Sequence, residues 1–314
     1  MPSSDHLPLL CPVCSLPLVF AGADTAGATT GGPTAAAAGA APSRMPGQRR
    51  LACASGHSFD AARQGYFNLL VGKGTAFEAD TAAMVEARVN FLGHGHYRPL
   101  AEAVAAAVVP CLSDHNGAIL DSGTGTGHYL RQVLDTAAAQ GREVTAVGLD
   151  ISKFALRRAA RLNPEAVNLV WDVWQPLPLA DRSVDAVTVV FAPRNPAEFA
   201  RILRPAGRLV VITPRTGHLG NLVATAGMLS IEESKDARLA TAMARYFDID
   251  ATSDIDVPLA LTRHEAADLA FMGPAGHHAD RDAIGERFDD LPEPVRTEAK
   301  FRLLVFRPKE TATA

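Results

Sequence analysis

The sequence predicts an α/β protein in which a parallel β-sheet, with helices between its strands, follows a small N-terminal metal-binding module. Beyond residue 117, short apolar runs alternate with helical stretches, which is typical of βαβ units whose strands are buried on both faces. Two short Cys/His motifs precede this region. The chain has 314 residues, about two domains' worth, and its 47% hydrophobic and 20% charged content excludes a fully disordered or fibrous protein.

The N-terminal module is predicted from four side chains that have the spacing of zinc ligands. Cys11 and Cys14 form one pair, and Cys53 and His57 form the other. Three thiolates and one imidazole complete a closed tetrahedral zinc site, so the metal is expected to be structural. Residues 21–48 are almost entirely small or polar and are predicted to be a flexible insert. The fourth cysteine, Cys111, is expected to be a buried helix thiol.

Two helices are predicted between this module and the sheet. Apolar residues in Glu78–Leu92 recur at helical spacing, and Pro99 can open a second helix that runs to about Leu112. The chain is thereby divided into a zinc-binding module at 1–75, a helical linker at 76–112 and a third domain at 113–314.

The third domain is predicted from its alternating apolar runs. Strands are expected at Ala118–Asp121, Thr145–Asp150, Asn168–Trp171, Ser183–Phe191, Arg208–Thr213 and Phe301–Phe306. Helices are expected at 127–140, 151–162, 196–203 and Leu219–Phe247, and a turn at Leu203–Gly207.

A glycine-rich turn follows the first of these strands and predicts a cofactor site. It reads Asp121-Ser122-Gly123-Thr124-Gly125-Thr126-Gly127. The glycines Gly123, Gly125 and Gly127 let the backbone turn sharply and approach a ligand, but their spacing differs from the G-x-G-x-x-G of dinucleotide-binding proteins. The leading acid suits a ligand with an ammonium group, as in S-adenosylmethionine.

Two further acids lie where the rest of such a cofactor would extend. Asp150 ends the second strand, where an acid can accept hydrogen bonds from ribose hydroxyls. Asp172 follows the third strand, where an adenine amino group would lie. Together with the turn, these acids predict a Rossmann-like, class I S-adenosylmethionine-dependent methyltransferase domain.

Positive charge around the zinc module indicates RNA as a partner. Residues 43–73 contain five cationic side chains and only one acidic side chain, with aromatic residues among them. This pattern suits looped or single-stranded RNA. The cations are Arg44, Arg49, Arg50, Arg63 and Lys73, the acid is Asp60, and Phe59, Tyr66, Phe67 and Asn68 lie among them. Taken one by one, the aromatic residues are more readily explained as packing beneath the zinc.

Composition also bears on location and partners. The apolar runs are shorter than a membrane span needs, and Met1–Leu10 lacks the basic start of a signal peptide. A cytoplasmic protein without a membrane or DNA partner is therefore expected. The net charge of −4 argues against a surface coated with phosphate-binding groups.

Six motifs together resemble the 23S rRNA guanine-N1 methyltransferases, and the resemblance extends over nearly the whole chain. The motifs lie at 11–14, 56–70, 95–100, 121–127, 148–153 and 191–196. The resemblance is greatest to the branch that protects antibiotic producers from tylosin- or mycinamicin-type macrolides. It implies methylation of a guanine in a domain II hairpin loop of 23S rRNA, although a housekeeping branch modifies a neighbouring guanine. The long insert at 21–48 departs from the family's short zinc loop.

The same resemblance implies cofactor contacts. These map onto Tyr97, Gly125, Thr126, Asp150 and His218. For Tyr97 and His218, simple packing at a helix cap is the alternative interpretation.

The segment after the fourth predicted strand is the expected wall for the target base. Phe191 is expected to stack on the guanine, the Pro193 carbonyl or the Asn195 side chain to accept a hydrogen bond from its edge, and Arg194 to stabilise developing negative charge on O6. This segment contains no carboxylate, so the identity of any general base is left open.

Two alternatives remain: a methyltransferase for a small molecule such as an antibiotic intermediate, and a non-catalytic RNA-binding protein of the same fold. A nicotinamide-dependent dehydrogenase is disfavoured by the glycine spacing. The oligomeric state, with a homodimer as one candidate, the exact guanine and the form of the RNA substrate stay open.

Overall fold

The N-terminal module forms a small antiparallel sheet. The computed structural model describes residues 8–21, 49–72, 74–114, 116–220, 222–223, 241–278 and 280–309. Three strands pair in the order β1 (Val19–Phe20), β2 (Arg50–Ala52) and β3 (Ser58–Asp60). The predicted flexible insert at 21–48 lies outside the described residues, apart from Ala21.

The remaining strands form one eight-stranded sheet. They are β4 (Phe67–Asn68), β5 (Gly117–Ser122), β6 (Val144–Asp150), β7 (Val167–Val170), β8 (Val184–Val190), β9 (Leu203–Pro214), β10 (Phe247–Leu261) and β11 (Val295–Pro308). Their order across the sheet is β10-β11-β9-β8-β5-β6-β7-β4. The strands from β4 to β9 pair in parallel, whereas β11 is antiparallel to both β9 and β10. Strand order therefore reverses between β5 and β8, and such a switch point is where open α/β sheets bind ligands.

Helices cover the sheet and account for its two buried faces. They are α1 (Ala82–Gly93), α2 (Arg98–Val108), α3 (His128–Ala139), α4 (Lys153–Leu162), α5 (Pro196–Ile202), α6 (Arg263–Phe271) and α7 (Arg281–Glu286). One apolar core includes Phe91 of α1, Leu130 of α3 and Phe301 of β11. A second core contains Leu120 of β5 and Phe199 of α5. In the part of the chain that the structure describes, no helix combines the length and apolar character that a membrane crossing requires.

The N-terminal module is joined to the large sheet through backbone and core contacts. Phe67 of β4 pairs with Leu169 of β7, although it lies within the region assigned from sequence to the module. Leu9 forms a bridge with Leu179, and Cys11 packs in the second core. The division of the chain at residue 75 stays a prediction.

Several sequence predictions of secondary structure are wrong in detail. Phe247 begins β10 rather than ending a helix; residues 221 and 224–240 of that predicted helix lie outside the described part. The turn predicted at Leu203–Gly207 is part of β9, where the pairing with β8 jumps from Leu203 to Arg208. Cys111 lies in a short 3₁₀ turn and is only partly buried.

Candidate cofactor site and metal centre

The four predicted zinc ligands converge on one point. Their ligand atoms all lie within 4.8 Å of one another. Cys14 Sγ is 3.6 Å from Cys53 Sγ, and His57 Nδ1 is 3.5 Å from Cys53 Sγ and 3.7 Å from Cys11 Sγ. A tetrahedron with zinc–sulfur bonds of about 2.3 Å has edges of about 3.8 Å, so the donor set fits zinc.

Each pair of ligands is held by a tight turn. Cys11 donates its backbone N–H to Leu16 O and accepts from the Ser15 N–H. Cys53 donates to His57 O and accepts from the N–H of Gly56, whose φ is +84°. Hydrogen bonding, first from the Leu16 backbone, lowers the pKa of Cys14 to about 6. The thiolate of Cys14 is therefore accessible at neutral pH, whereas burial raises the pKa of the Cys11 thiol.

The glycine-rich turn lies directly after β5, at the switch point of the sheet. Gly123, Gly125 and Gly127 have φ values of +77°, +54° and +83°. These left-handed conformations are strained for other residues, which explains three glycines in one turn. The N–H groups of Gly123 and Thr124 both donate to Leu149 O, which anchors the turn to β6.

Close packing adds a second requirement for glycine. A Cβ on Gly123 would lie 2.2 Å from Ala192 Cβ, in the segment that follows β8. A Cβ on Gly127 would lie 2.5 Å from Asn163 Nδ2, which donates to Gly127 O. The turn therefore packs closely against the segment that follows β8 and against the end of α4, and its conformation depends on both contacts.

Two carboxylates flank this turn, of which Asp121 is buried and Asp150 is partly buried. Asp121 Oδ1 accepts a hydrogen bond from Thr188 Oγ1 at 2.7 Å, and Asp150 accepts from the N–H groups of Gly125 and Ser152, each at 2.8 Å. Burial raises the pKa of Asp121 and of Asp150 above the usual aspartate value. A cationic ligand would favour the charged form of either carboxylate, so the site is suited to the ammonium and sulfonium groups of S-adenosylmethionine.

The third predicted acid is buried at the end of β7. Asp172 Oδ2 accepts from Thr75 Oγ1 at 2.9 Å, and its Oδ1 accepts from the Trp174 N–H at 3.0 Å. Phe77 and Trp174 lie beside it, half exposed, with ring centroids 6.4 Å apart. Asp121, Asp150 and Asp172 therefore lie at or just beyond the carboxyl ends of three adjacent parallel strands, β5, β6 and β7.

An arginine that the sequence reasoning missed also reaches this turn. Arg88 Nη1 would be 3.8 Å from a Cβ placed on Gly125 and forms an ion pair with Asp80 at 2.5 Å. Its Nη2 donates to Met272 O at 2.7 Å. Arg88 belongs to α1, and only the packing of this helix onto the sheet places its charge beside the turn.

Phe301 connects three residues that were predicted separately. Its ring centroid lies 5.1 Å from Tyr97, 4.9 Å from His218 and 5.4 Å from Phe191. Burial lowers the pKa of His218 to about 4, so its ring is neutral at physiological pH. The sequence identified the strand that carries Phe301 but contained no signal that this side chain lies at the centre of the group.

The segment after β8 places its residues in different environments. Phe191 has a φ of +55° and is half exposed, and Pro193 is exposed. Asn195 caps α5 through Oδ1 and donates through Nδ2 to Val173 O at 2.9 Å. Arg194 is partly buried. The predicted roles of these four residues toward a guanine stay predictions.

The basic region around the zinc module differs from the pattern expected for RNA stacking. Tyr66 and Phe67 are buried, and Phe59 packs partly against the second core, so these aromatic residues belong to the packing. Arg50 pairs with Asp60 at 2.6 Å. Arg49 lies over the Phe20 ring and Arg63 is exposed, whereas Arg44 and Lys73 lie outside the described residues.

The fold and this site define the class of protein: a class I S-adenosylmethionine-dependent methyltransferase domain joined to a zinc ribbon. Residues 119–210 match a family described as "Methyltransferase domain", and residues 45–72 match a zinc-ribbon family described as "RlmA, N-terminal". The predicted fold class is thereby confirmed, and so are the two predicted cofactors, S-adenosylmethionine and structural zinc.

Comparison with whole proteins identifies the family. The chain is 43% identical, over 97% of its length and 99% of the relative's, to a protein of Micromonospora griseorubida named as a 23S rRNA (guanine-N(1)-)-methyltransferase. It is 40% identical, over 86% of its length and 94% of the relative's, to the 23S rRNA (guanine(748)-N(1))-methyltransferase of Streptomyces fradiae. A similarly named Bacillus subtilis protein is 34% identical over 55% of the chain and 61% of its own length. The chain belongs to the 23S rRNA guanine-N1 methyltransferase family, as its motifs indicated.

Proposed function

We infer that the protein transfers the methyl group of S-adenosylmethionine to N1 of a guanine in 23S rRNA. The observation that supports this most strongly is the joint occurrence, in one chain, of the glycine turn between Asp121 and Asp150 and the Cys₃His cluster. The first is a site for the methyl donor. The second has no evident use in an enzyme that modifies a small molecule.

The residues around the turn would hold the donor. Asp121 would face the ammonium group, and Asp150 would accept hydrogen bonds from the ribose hydroxyls. Asp172 would accept from the adenine amino group. Arg88 would supply a positive charge for the carboxylate, because its guanidinium lies beside Gly125. Gly123, Thr126 and Gly127 would shape the backbone contacts, while Tyr97 and His218 would close one side.

Bound S-adenosylmethionine supplies an electrophilic methyl group, so the protein mainly has to align the guanine with it. Methyl transfer would replace the sulfur–carbon bond with a bond to N1 and leave S-adenosylhomocysteine, and the N1 proton would pass to solvent water, since the segment after β8 contains no carboxylate. Phe191 would stack on the base, because its ring is half exposed in the segment packed against the turn. The Pro193 carbonyl would accept from the guanine edge, and Arg194 would stabilise charge on O6.

Asn195 is better suited to positioning than to contact with the base. Its amide oxygen caps α5 and its amide nitrogen donates to Val173 O. Its side chain would thereby hold the segment from Phe191 to Arg194 in place.

The zinc ribbon would present the RNA. Cys11, Cys14, Cys53 and His57 would hold the metal as a closed set, which stabilises the module and takes no part in methyl transfer. Tyr66 and Phe67 are buried, so RNA contact would depend on exposed cations such as Arg63 rather than on stacking by those rings.

A finer proposal concerns the nucleotide and its consequence. The target would be a guanine in the domain II hairpin loop, and the Streptomyces fradiae relative, named for guanine 748, makes that position the first to test. Its methylation would protect a producing cell from macrolides of the tylosin type. The enzyme would act in the cytoplasm, and a homodimer is the assembly to examine first.

Incubation with S-adenosylmethionine labelled in its methyl group tests this proposal. Undermodified 23S rRNA, assembled large subunits and a low-molecular-weight extract are offered separately. Label in N1-methylguanine from either RNA sample supports the function, and the two RNA arms identify which form is the substrate. Label confined to small molecules would instead favour an antibiotic-tailoring enzyme, and absence of donor binding a non-catalytic protein.

A further inference from the structure

A second cluster of metal-binding side chains lies at the junction of α1, α2 and α6, apart from the zinc ribbon. His96 Nε2 is 2.9 Å from Glu265 Oε1, and His94 Nδ1 is 3.5 Å from the same oxygen. One ligand atom from each of the three residues lies within 4.8 Å of the other two. We propose that His94, His96 and Glu265 form a second site for a divalent transition metal, with zinc as the preferred ion.

The backbone holds the two imidazoles in place. His94 caps α1, and its N–H donates to Asn90 O and Leu92 O. Gly95 then turns the chain with a φ of +79°, so that α2 begins only four residues after His94. This short turn directs the side chains of His94 and His96, which are separated only by Gly95, toward the same carboxylate, so little conformational entropy would be lost when a metal binds.

The carboxylate is fixed by bonds that leave one oxygen for the histidines. Glu265 Oε2 accepts from the Thr262 N–H at 2.8 Å and from Thr262 Oγ1 at 3.0 Å, which completes a capping box at the start of α6. Glu265 Oε1 faces His94 and His96. A hydrogen bond from His96 alone would fasten the turn to α6, but it gives no reason for His94 to approach the same atom.

The donor set and its exposure determine which metal fits. Two imidazoles and one carboxylate suit zinc and neighbouring first-row ions, whereas magnesium and calcium prefer oxygen ligands throughout. The His94 side chain is 58% exposed, against 18% for His96 and 16% for Glu265. The cluster is therefore open to solvent on the His94 side, where water would be the fourth ligand.

A metal in this position would join the turn between α1 and α2 to α6. Tyr97, one of the residues that would close one side of the donor site, follows His96 directly and packs against Phe301. The metal would thus stabilise one wall of that site without contacting the reacting atoms. The proposal is independent of methyl transfer, because it can be tested without any substrate.

Zinc content per chain tests the proposal on tag-free protein whose ribbon is already loaded. The protein is dialysed against micromolar free zinc and analysed for metal. Wild-type protein is expected to retain two zinc ions per chain, whereas His94→Ala and Glu265→Gln are expected to retain one. Glu265→Gln keeps an acceptor for the capping box, so the fold should persist. His264→Ala is the matched control, because His264 is exposed on the same helix and pairs with Asp268 instead.

Thermal melting gives a second readout. Added zinc should raise the Tm of wild-type protein and of His264→Ala, but not that of the two ligand variants, because a ligand that binds only the folded state stabilises it. One zinc per wild-type chain would overturn the proposal. So would two zinc ions in both ligand variants, or loss of the second zinc in the control.

Discussion

Replacing Gly123 with alanine would disturb the contact between the glycine turn and the segment that follows β8. Gly123 has a φ of +77°, and the new Cβ would lie 2.2 Å from Ala192 Cβ. The left-handed backbone costs about 1–2 kcal/mol and the overpacking about 1–3 kcal/mol. The free energy of unfolding should therefore fall by about 2–5 kcal/mol, and affinity for S-adenosylhomocysteine should fall with it, because the turn must move.

Gly141→Ala is the matched control for this prediction. Gly141 has a φ of +70°, but no heavy atom lies within 4 Å of the position that its Cβ would take. It should lose only the backbone contribution, about 1–2 kcal/mol, and bind the cofactor normally. Urea denaturation and titration calorimetry measure both effects. Equal losses of stability in the two variants, with unchanged cofactor affinity in both, would refute the packing of the turn against Ala192.

Four further predictions follow from the site. Asp150→Asn should weaken S-adenosylmethionine binding by about 1.5–3 kcal/mol in calorimetry, because a charged acceptor for the ribose is lost; unchanged affinity would contradict that role. Arg88→Gln should weaken binding of S-adenosylmethionine but not of methylthioadenosine, which lacks the carboxylate; equal effects on both ligands would exclude the assigned contact. Cys53→Ser should abolish zinc retention by the ribbon and lower the Tm, and a metal assay showing ribbon zinc retained would disprove the ligand set. Burial lowers the pKa of His218 to about 4, below the value of about 6.5 in the unfolded chain. Because the unfolded chain takes up the proton first, the free energy of unfolding should fall as the pH drops from 7 toward 4. The urea midpoints of wild type and His218→Gln should therefore converge at low pH, and a constant difference would argue against this titration.

Local patterns predicted much of the parallel half of the fold. The strands β5 to β8 and the helices α3 to α5 appear within a few residues of their expected positions, because buried runs and helix caps are encoded in neighbouring residues. The hairpin of β10 and β11 was largely missed. Its aspartates disfavour a strand locally, and pairs such as Arg302 with Asp254 at 2.9 Å, which offset that preference, form only across the finished sheet.

In the candidate site, too, the features set by local sequence could be predicted, whereas those set by long-range contacts could not. The zinc ligands and the acids around the glycine turn could be identified from sequence, because spacing and strand ends define them. Thr188, Arg88 and Phe301 could not be identified, because their contacts with Asp121, Gly125 and Tyr97 arise from elements that are distant in the chain. The burial of Tyr66 agrees with the sequence interpretation that the aromatic residues of the basic region, taken one by one, contribute to packing.

Primer extension on 23S rRNA tests the central claim most directly, because methylation at N1 of guanine blocks base pairing and stops the polymerase. RNA is compared from cells that lack the protein, cells that express it and cells that express Asp150→Asn. A strong stop at a guanine of the domain II hairpin loop is expected only with the wild-type chain, and a much weaker one with the variant. Identical extension patterns in all three samples, with the protein folded and present, would contradict the assignment of this chain as an rRNA guanine-N1 methyltransferase.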